Sequence, residues 1–169
     1  MLPLGTKLIA FELIDTVSEK NFSSDEFEIS KPTLIMFICN HCPYVIHYHS
    51  EIQRISQDYK DQINMVAISS NDVDNYPQDG PQQMQDLWED LGISFPYLFD
   101  ETQMVAKAYK AECTPEFYLF DVNRKLVYRG RLDESSPNST TLPSGKDLRD
   151  AVENLFNDRE ISLEQFPSM

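Results

Sequence analysis

Positive charge is scarce in this chain. Its 169 residues hold 14 Lys and Arg against 28 Asp and Glu, a formal net charge of −14. A field of that sign repels phosphate backbones, which excludes nucleic acid as a partner. Solubility accounts for the acidity, and docking to a basic protein is the alternative. Long apolar runs are also missing. No stretch reaches the roughly 20 residues of a membrane span, so no membrane association is expected. Met1 to Ala10 lacks the charged start and long apolar core of a secretory signal, and the expected location is the cytoplasm. Cysteines number three, too few for the disulfide framework of a small secreted domain. Internal repeats and low-complexity segments are absent. What is present suffices for a core without staples: 41% hydrophobic and 11% aromatic residues in a length that suits one domain, residues 1–169.

The apolar pattern sets an order of elements. Leu8 to Leu13 reads as a short strand, and Phe27 and Ile29, between acidic neighbours, as a half-buried second strand. Thr33 to Ile38 is a continuous apolar run, the mark of a central strand buried on both faces. Tyr44, Val45, Tyr48, Ile52 and Ile55 then recur at helical spacing, with Pro43 suited to a first turn, where a missing N–H costs little. Met65 to Ile68 is a further buried strand. Asn71 to Gln82, rich in Asn, Asp, Pro and Gly, reads as loop. A helical stripe of Met84, Leu87, Trp88 and Leu91 stops at Gly92, and Tyr97 to Phe99 is a short strand. Asp100 to Thr102 caps a third helix carrying Met104, Val105 and Tyr109. Phe117 to Phe120 and Leu126 to Tyr128 alternate as a hairpin, Ser136 to Gly145 is polar loop, and Leu148, Val152, Leu155 and Phe156 form a last helix.

Cys39 and Cys42 stand between the central strand and the Pro43 helix, spaced C-x-x-C. Two intervening residues let the sulfurs meet. The turn is expected to expose Cys39, and the N–H groups and positive dipole end of the helix to favour its thiolate, the nucleophilic form. Cys42 would then resolve the mixed disulfide, and a partly protonated His41 would favour the Cys39 thiolate further. A structural zinc site normally brings a second Cys/His pair; the remaining cysteine is Cys113, so neither metal nor cofactor is expected. Thr114-Pro115 is either a helix stop or a cis proline facing the dithiol. Cys113 is either a small buried residue or a third thiol near the site, offering an alternative disulfide partner or metal ligand. His47 and His49 read as boundary residues, and Asp133, Glu134, Asp158 and Glu160 as solvated surface.

These residues resemble the thioredoxin superfamily, and within it the AhpC/TSA-type thioredoxin-like proteins. The resemblance is carried by FICNHCPYVIHY (Phe37 to Tyr48), SSND (Ser69 to Asp72), FPYLFDETQMVAKAYKAECTPEFYLFD (Phe95 to Asp121) and YRGRLDES (Tyr128 to Ser135), with GTKLIAFEL (Gly5 to Leu13) less sharp. It implies an α/β thioredoxin fold, a central mixed sheet flanked by helices, with an N-terminal strand extension and a central helix-strand insertion. It implies Cys39 as attacking thiol, Cys42 as resolving thiol and Pro115 as a cis proline. The backbone of Thr114 would contact substrate, and His41 sits where oxidising members also place a histidine. Asn40-His41 replaces the Gly-Pro of thioredoxins. The buried carboxylate that thioredoxins carry on the preceding strand corresponds to Thr33, which leaves the proton acceptor for Cys42 unassigned, with Glu116 as a candidate because it follows Pro115. Peroxiredoxins place Thr or Ser three residues before the reactive Cys; the matching positions are Met36 and Cys39. The reading is therefore a thiol–disulfide oxidoreductase acting on protein thiols and disulfides with a reducing or oxidising partner protein. The rivals are a thiol peroxidase and a redox-sensing or metal-binding module.

Overall fold

The computed structural model describes residues 1–168. In chain order the elements are strands β1 (Glu12–Asp15), β2 (Asn21–Ser23) and β3 (Thr33–Phe37), helix α1 (Pro43–Asp58), β4 (Asn64–Ser69), α2 (Pro81–Leu91), β5 (Tyr97–Phe99), α3 (Met104–Ala108), β6 (Glu116–Phe120), β7 (Leu126–Gly130) and α4 (Lys146–Phe156). The strands form one mixed sheet in the order β2-β1-β5-β4-β3-β6-β7. β3, β4 and β5 run parallel, and β1, β6 and β7 join antiparallel to their neighbours.

The apolar run of β3 is buried throughout because helices and loops cover both faces of the sheet. Strand alternation divides it. Leu34, Met36 and Ile38 meet Val45, Tyr48, Ile52 and Ile55 of α1, Met84 and Trp88 of α2, and Leu148 and Val152 of α4. Ile35 and Phe37 meet Tyr109, Tyr118, Phe120 and the N-terminal Leu8 and Phe11 on the opposite face. Each such side chain gains about 1.5–3 kcal/mol from burial. This is the thioredoxin fold with the expected strand extension (β1, β2) and insertion (α2, β5).

Two local expectations, both on the N-terminal strands, are corrected. The first strand lies at Glu12–Asp15, C-terminal to most of Leu8 to Leu13, whose apolar members instead anchor the N-terminal segment in the lower core. The second strand is Asn21–Ser23, paired with β1. Around Phe27 the backbone forms no ladder: its ring packs on Phe11 and Phe22, Ile29 is 81% exposed, and the Asn64 side chain takes the Glu28 backbone polar groups. The third helix begins after Gln103, in left-handed backbone, while the Asp100 carboxylate accepts from the N–H groups of Val105 and Ala106.

Candidate active site

The site forms where β3 ends and α1 begins, at the carboxyl ends of the parallel strands. α1 starts at Pro43, so its first residue lacks only an N–H that no helical bond would use. Cys42 thereby becomes the residue that precedes the helix, and the N–H groups of Tyr44 and Val45 lean toward its sulfur without a full capping hydrogen bond. Cys39 is three residues earlier, still against the sheet.

Both thiols are free, and Thr114 lies against each of them. They differ sharply in setting. Cys39 is 1% exposed; Cys42 is partly exposed. Cys42 is drawn well below the ordinary thiol range, first by the hydrogen bond from Cys39 and then, against the cost of burial, by the helix-start N–H groups and Thr114. Cys39 moves the other way, first because it keeps the proton in that bond, then through burial and the charge of Asp79. The expectation that the turn exposes Cys39 is corrected: its sulfur packs against the sheet, and Cys42 is the more exposed of the two. The helix begins one residue after the second cysteine, so Cys42 receives the positive end of α1.

Thr114 touches both sulfurs. Its hydroxyl lies 3.4 Å from Cys39 Sγ, and its carbonyl accepts from protonated Cys42 Sγ at 3.4 Å. The Thr114–Pro115 bond is cis. The His41 side chain is 27% exposed. Its Nδ1 is bonded to Oδ2 of fully buried Asp79, and its ring stacks on Tyr76 at 4.5 Å with planes 5° apart. Asp79 Oδ1 accepts from the N–H groups of Asn40 (2.7 Å) and His41 (3.1 Å), and Oδ2 also accepts from Asn71 Nδ2 at 2.9 Å. Tyr97 donates to Asn40 Oδ1 at 2.9 Å, tying the turn to β5.

Sequence reasoning missed Asp79. It sits in a loop whose composition marks solvent-facing residues, and the inward turn is made by a single 3-10 turn, Pro77–Asp79, just before α2. Gly80-Pro81 at the helix start was the available signal.

Glu116 does not serve the dithiol as proposed from its place after Pro115. It points along β6, where its carboxylate accepts from Glu112 N–H and Tyr118 hydroxyl, and its charge acts on Cys113. Thr33 fills the place of a strand carboxylate and accepts from Asn64 Nδ2 instead. Cys113 is half-buried, donates to the Ser168 carbonyl, and is pushed up to about 11 by burial, then by Glu116 and Glu112. It lines a cleft of about 370 Å³ with Phe37, Ser70, Gln103, Lys107 and Thr114. His47 bonds Ser135 Oγ at 2.8 Å, and burial lowers the His49 pKa, so both sit at the boundary as expected. Asp133 is not solvated surface but 3% exposed. Among the described residues no helix is long and apolar enough to cross a membrane.

Cys39, His41 and Asp79 each offer a donor atom within 4.8 Å of the others. Asp79 already accepts four hydrogen bonds from protein groups, which makes the cluster a hydrogen-bonded unit in its own right.

Residues 3–145 match the family model described as Redoxin. The thiol-disulfide oxidoreductase YkuV of Bacillus subtilis (strain 168) is similar at 27% identity over 100 residues, which is 57% of this chain and 64% of that protein, less than two thirds of its length. The structure of an uncharacterized conserved protein from Geobacillus kaustophilus is similar with a TM-score of 0.95 and 44% identity, covering 99% of this chain and 89% of the other. A secreted disulfide oxidoreductase of Mycobacterium tuberculosis, homologous to E. coli DsbE, matches with a TM-score of 0.66 at 16% identity, over 86% and 96% of the two chains. At that identity the likeness shows the fold.

Proposed function

The chain belongs to the redoxin family, as the match over residues 3–145 shows, and from that membership we propose that it exchanges thiols and disulfides on protein substrates through Cys39 and Cys42. One observation carries the reading: two free thiols at a strand-to-helix junction, both touched by Thr114 beside a cis proline. In the reducing direction, the thiolate of one cysteine of the pair attacks a substrate disulfide and one substrate sulfur leaves as a thiolate. The other cysteine then attacks the protein sulfur of that mixed disulfide, forming the Cys39–Cys42 disulfide and releasing the second substrate sulfur. Two electrons pass from the protein dithiol to the substrate, and the proton of the second thiol ends on a released sulfur or in water. The oxidising direction is the reverse. Thr114, with its carbonyl at Cys42, is the residue against which an extended substrate segment would lie, beside Pro115.

The test is reduction of a protein disulfide such as insulin by dithiothreitol with catalytic amounts of the protein. Catalysis is expected in the wild type and lost in Cys42→Ser. The single-serine variant that keeps the attacking sulfur should trap a mixed disulfide, which assigns the two roles. A Cys42→Ser variant that catalyses at the wild-type rate would refute the reading.

A further inference from the structure

An extended substrate segment needs room for its backbone beside Thr114 and Pro115. A piece of this chain already lies there. The tail that follows α4 crosses the edge of β7 and reaches the groove. Gln165 bonds two backbone groups of β7: its Oε1 accepts from Arg129 N–H at 3.0 Å, and its Nε2 donates to Val127 O at 2.9 Å. Phe166 O accepts from Arg131 N–H at 3.0 Å, and the Arg131 guanidinium lies 4.6 Å from the centre of the Phe166 ring. Two residues on, Ser168 O accepts from Cys113 Sγ at 3.6 Å, and Ser168 faces Pro115 and Tyr44 across a narrow cleft. Cys113 immediately precedes Thr114, which touches both sulfurs of the dithiol.

We propose that residues 165–168 form a strap that sets substrate specificity: closed, it keeps extended protein segments out of the groove at Thr114–Pro115 and leaves the dithiol open to small disulfides. The inference rests on the exchange reading above. Three features suit a strap that lifts rather than a permanent strand. Pro167 has no N–H, so the ladder with β7 cannot continue past Phe166. The Ser168 hydroxyl is buried without a partner among the described residues, and the bond with water it has lost counts against the closed position. A cavity of about 130 Å³ between the tail and α4, lined by Tyr128, Asn154 and Gln165, leaves the underside of the tail loosely packed. The hold is therefore concentrated at Gln165 and Phe166, and the Phe166 ring, 45% exposed, lies outside the core. The segment contains no cysteine, so it fills the groove without reacting.

The consequence is one of populations. An extended segment binds only those molecules whose strap is lifted, so its apparent affinity falls by that fraction. A disulfide small enough to reach the partly exposed Cys42 past the closed strap is unaffected.

The test compares the second-order rates at which the reduced protein is oxidised by insulin and by bis(2-hydroxyethyl) disulfide, a small neutral disulfide. Acid quench, alkylation and mass spectrometry read both. Phe166→Ala removes the anchor, and Gly130→Ala crowds Phe166 O from below; neither changes the net charge. In each, the insulin rate should rise about three- to tenfold while the small-disulfide rate stays put, the factor for a strap lifted in about a tenth to a third of wild-type molecules. Iodoacetamide labelling of Cys113, whose sulfur donates to the strap, should quicken in the same variants. An unchanged ratio of the two rates, or two rates that rise together, overturns the proposal. So does Cys113 labelling as slow as in the wild type, because Phe166 would then not hold the strap. If Gly130→Ala does not fold, Phe166→Ala decides alone. A wild type that neither disulfide oxidises, or that is oxidised no faster than Cys42→Ser, refutes the exchange reading itself rather than the strap.

Discussion

Cys39 and Cys42 have the same chemistry and different surroundings, and the difference is set by where one helix begins. Pro43 opens α1, so the half-charge of the helix start falls on Cys42, while Cys39 remains packed against the sheet. The predicted consequence is selective alkylation. With limiting iodoacetamide at pH 7, Cys42 should be modified at least about tenfold faster than Cys39 and Cys113, because reaction follows the thiolate fraction and access. Its rate should be flat above neutrality and fall only on acidification, since its pKa is shifted down, whereas Cys113, pushed up to about 11, gains rate as pH rises. Peptide mapping by mass spectrometry reads all three, and preferential labelling of Cys39 would restore the roles expected from the motif. The types and spacing of these cysteines were legible in the sequence. The helix start at Pro43 was legible too; the burial of Cys39 was not, because it comes from contacts between distant segments that leave no period in the sequence.

At the scale of elements, two polar devices hold segments of the chain in place, and neither was legible. Residues 136–145 read as loop, and Asp133 before them as surface, since acids in polar stretches normally face water. Here the Asp133 carboxylate accepts from Ser135 N–H and hydroxyl and from the N–H groups of Ser144 and Gly145, closing the loop onto the start of α4. Burial raises the cost of its charge, but these four donors outweigh it and lower its pKa. A carboxylate whose folded pKa is depressed contributes its stability above the unfolded value, about 3.9, and loses it as pH falls through the folded value below that. Asp133→Asn should therefore cost about 2 kcal/mol near pH 7, with the gap to wild type closing on acidification below pH about 4; urea melts at the two pH values measure it. The second device is the tail, which had no readable periodicity. It covers the edge of β7: Gln165 bonds Val127 and Arg129, Arg131 N–H donates to Phe166 O at 3.0 Å, and the Arg131 guanidinium lies 4.6 Å over the Phe166 ring. Gly130 makes room for it, with φ of 137° and space in which an added Cβ would meet Phe166 O at 2.1 Å. Gly130→Ala should displace the tail and lower stability by about 1–3 kcal/mol, seen as faster proteolysis beyond residue 160; a tail as protected as in the wild type would refute that account.

For the whole molecule, the features that repeat along the chain were the legible ones. The continuous apolar run of β3, alternation in β6 and β7 and helical spacing in α1, α2 and α4 report burial directly, so the order of layers followed from them. Asp79 and the N-terminal strands escaped because they depend on contacts between distant segments that leave no period. Net charge, a sum over the chain, was legible from composition alone, and it bears on the site. A thiolate on Cys42 reacts inside the field of a −14 protein, and that field favours cationic disulfides over anionic ones in the encounter. Screening weakens it: the Debye length falls from about 30 Å at 0.01 M ionic strength to about 10 Å at 0.1 M. Over that range the second-order rate of Cys42 with cystamine, a dication, should fall several-fold. With oxidised glutathione, a net anion, it should rise by a similar factor. The pH is held fixed, so the thiolate fraction changes equally for both reagents and cancels in their ratio. The ratio of the two rates, followed by stopped flow as salt is added, thus isolates long-range charge from local activation. A ratio independent of salt would mean that the acidity of the chain serves solubility and has no part in choosing the disulfide that reaches Cys42.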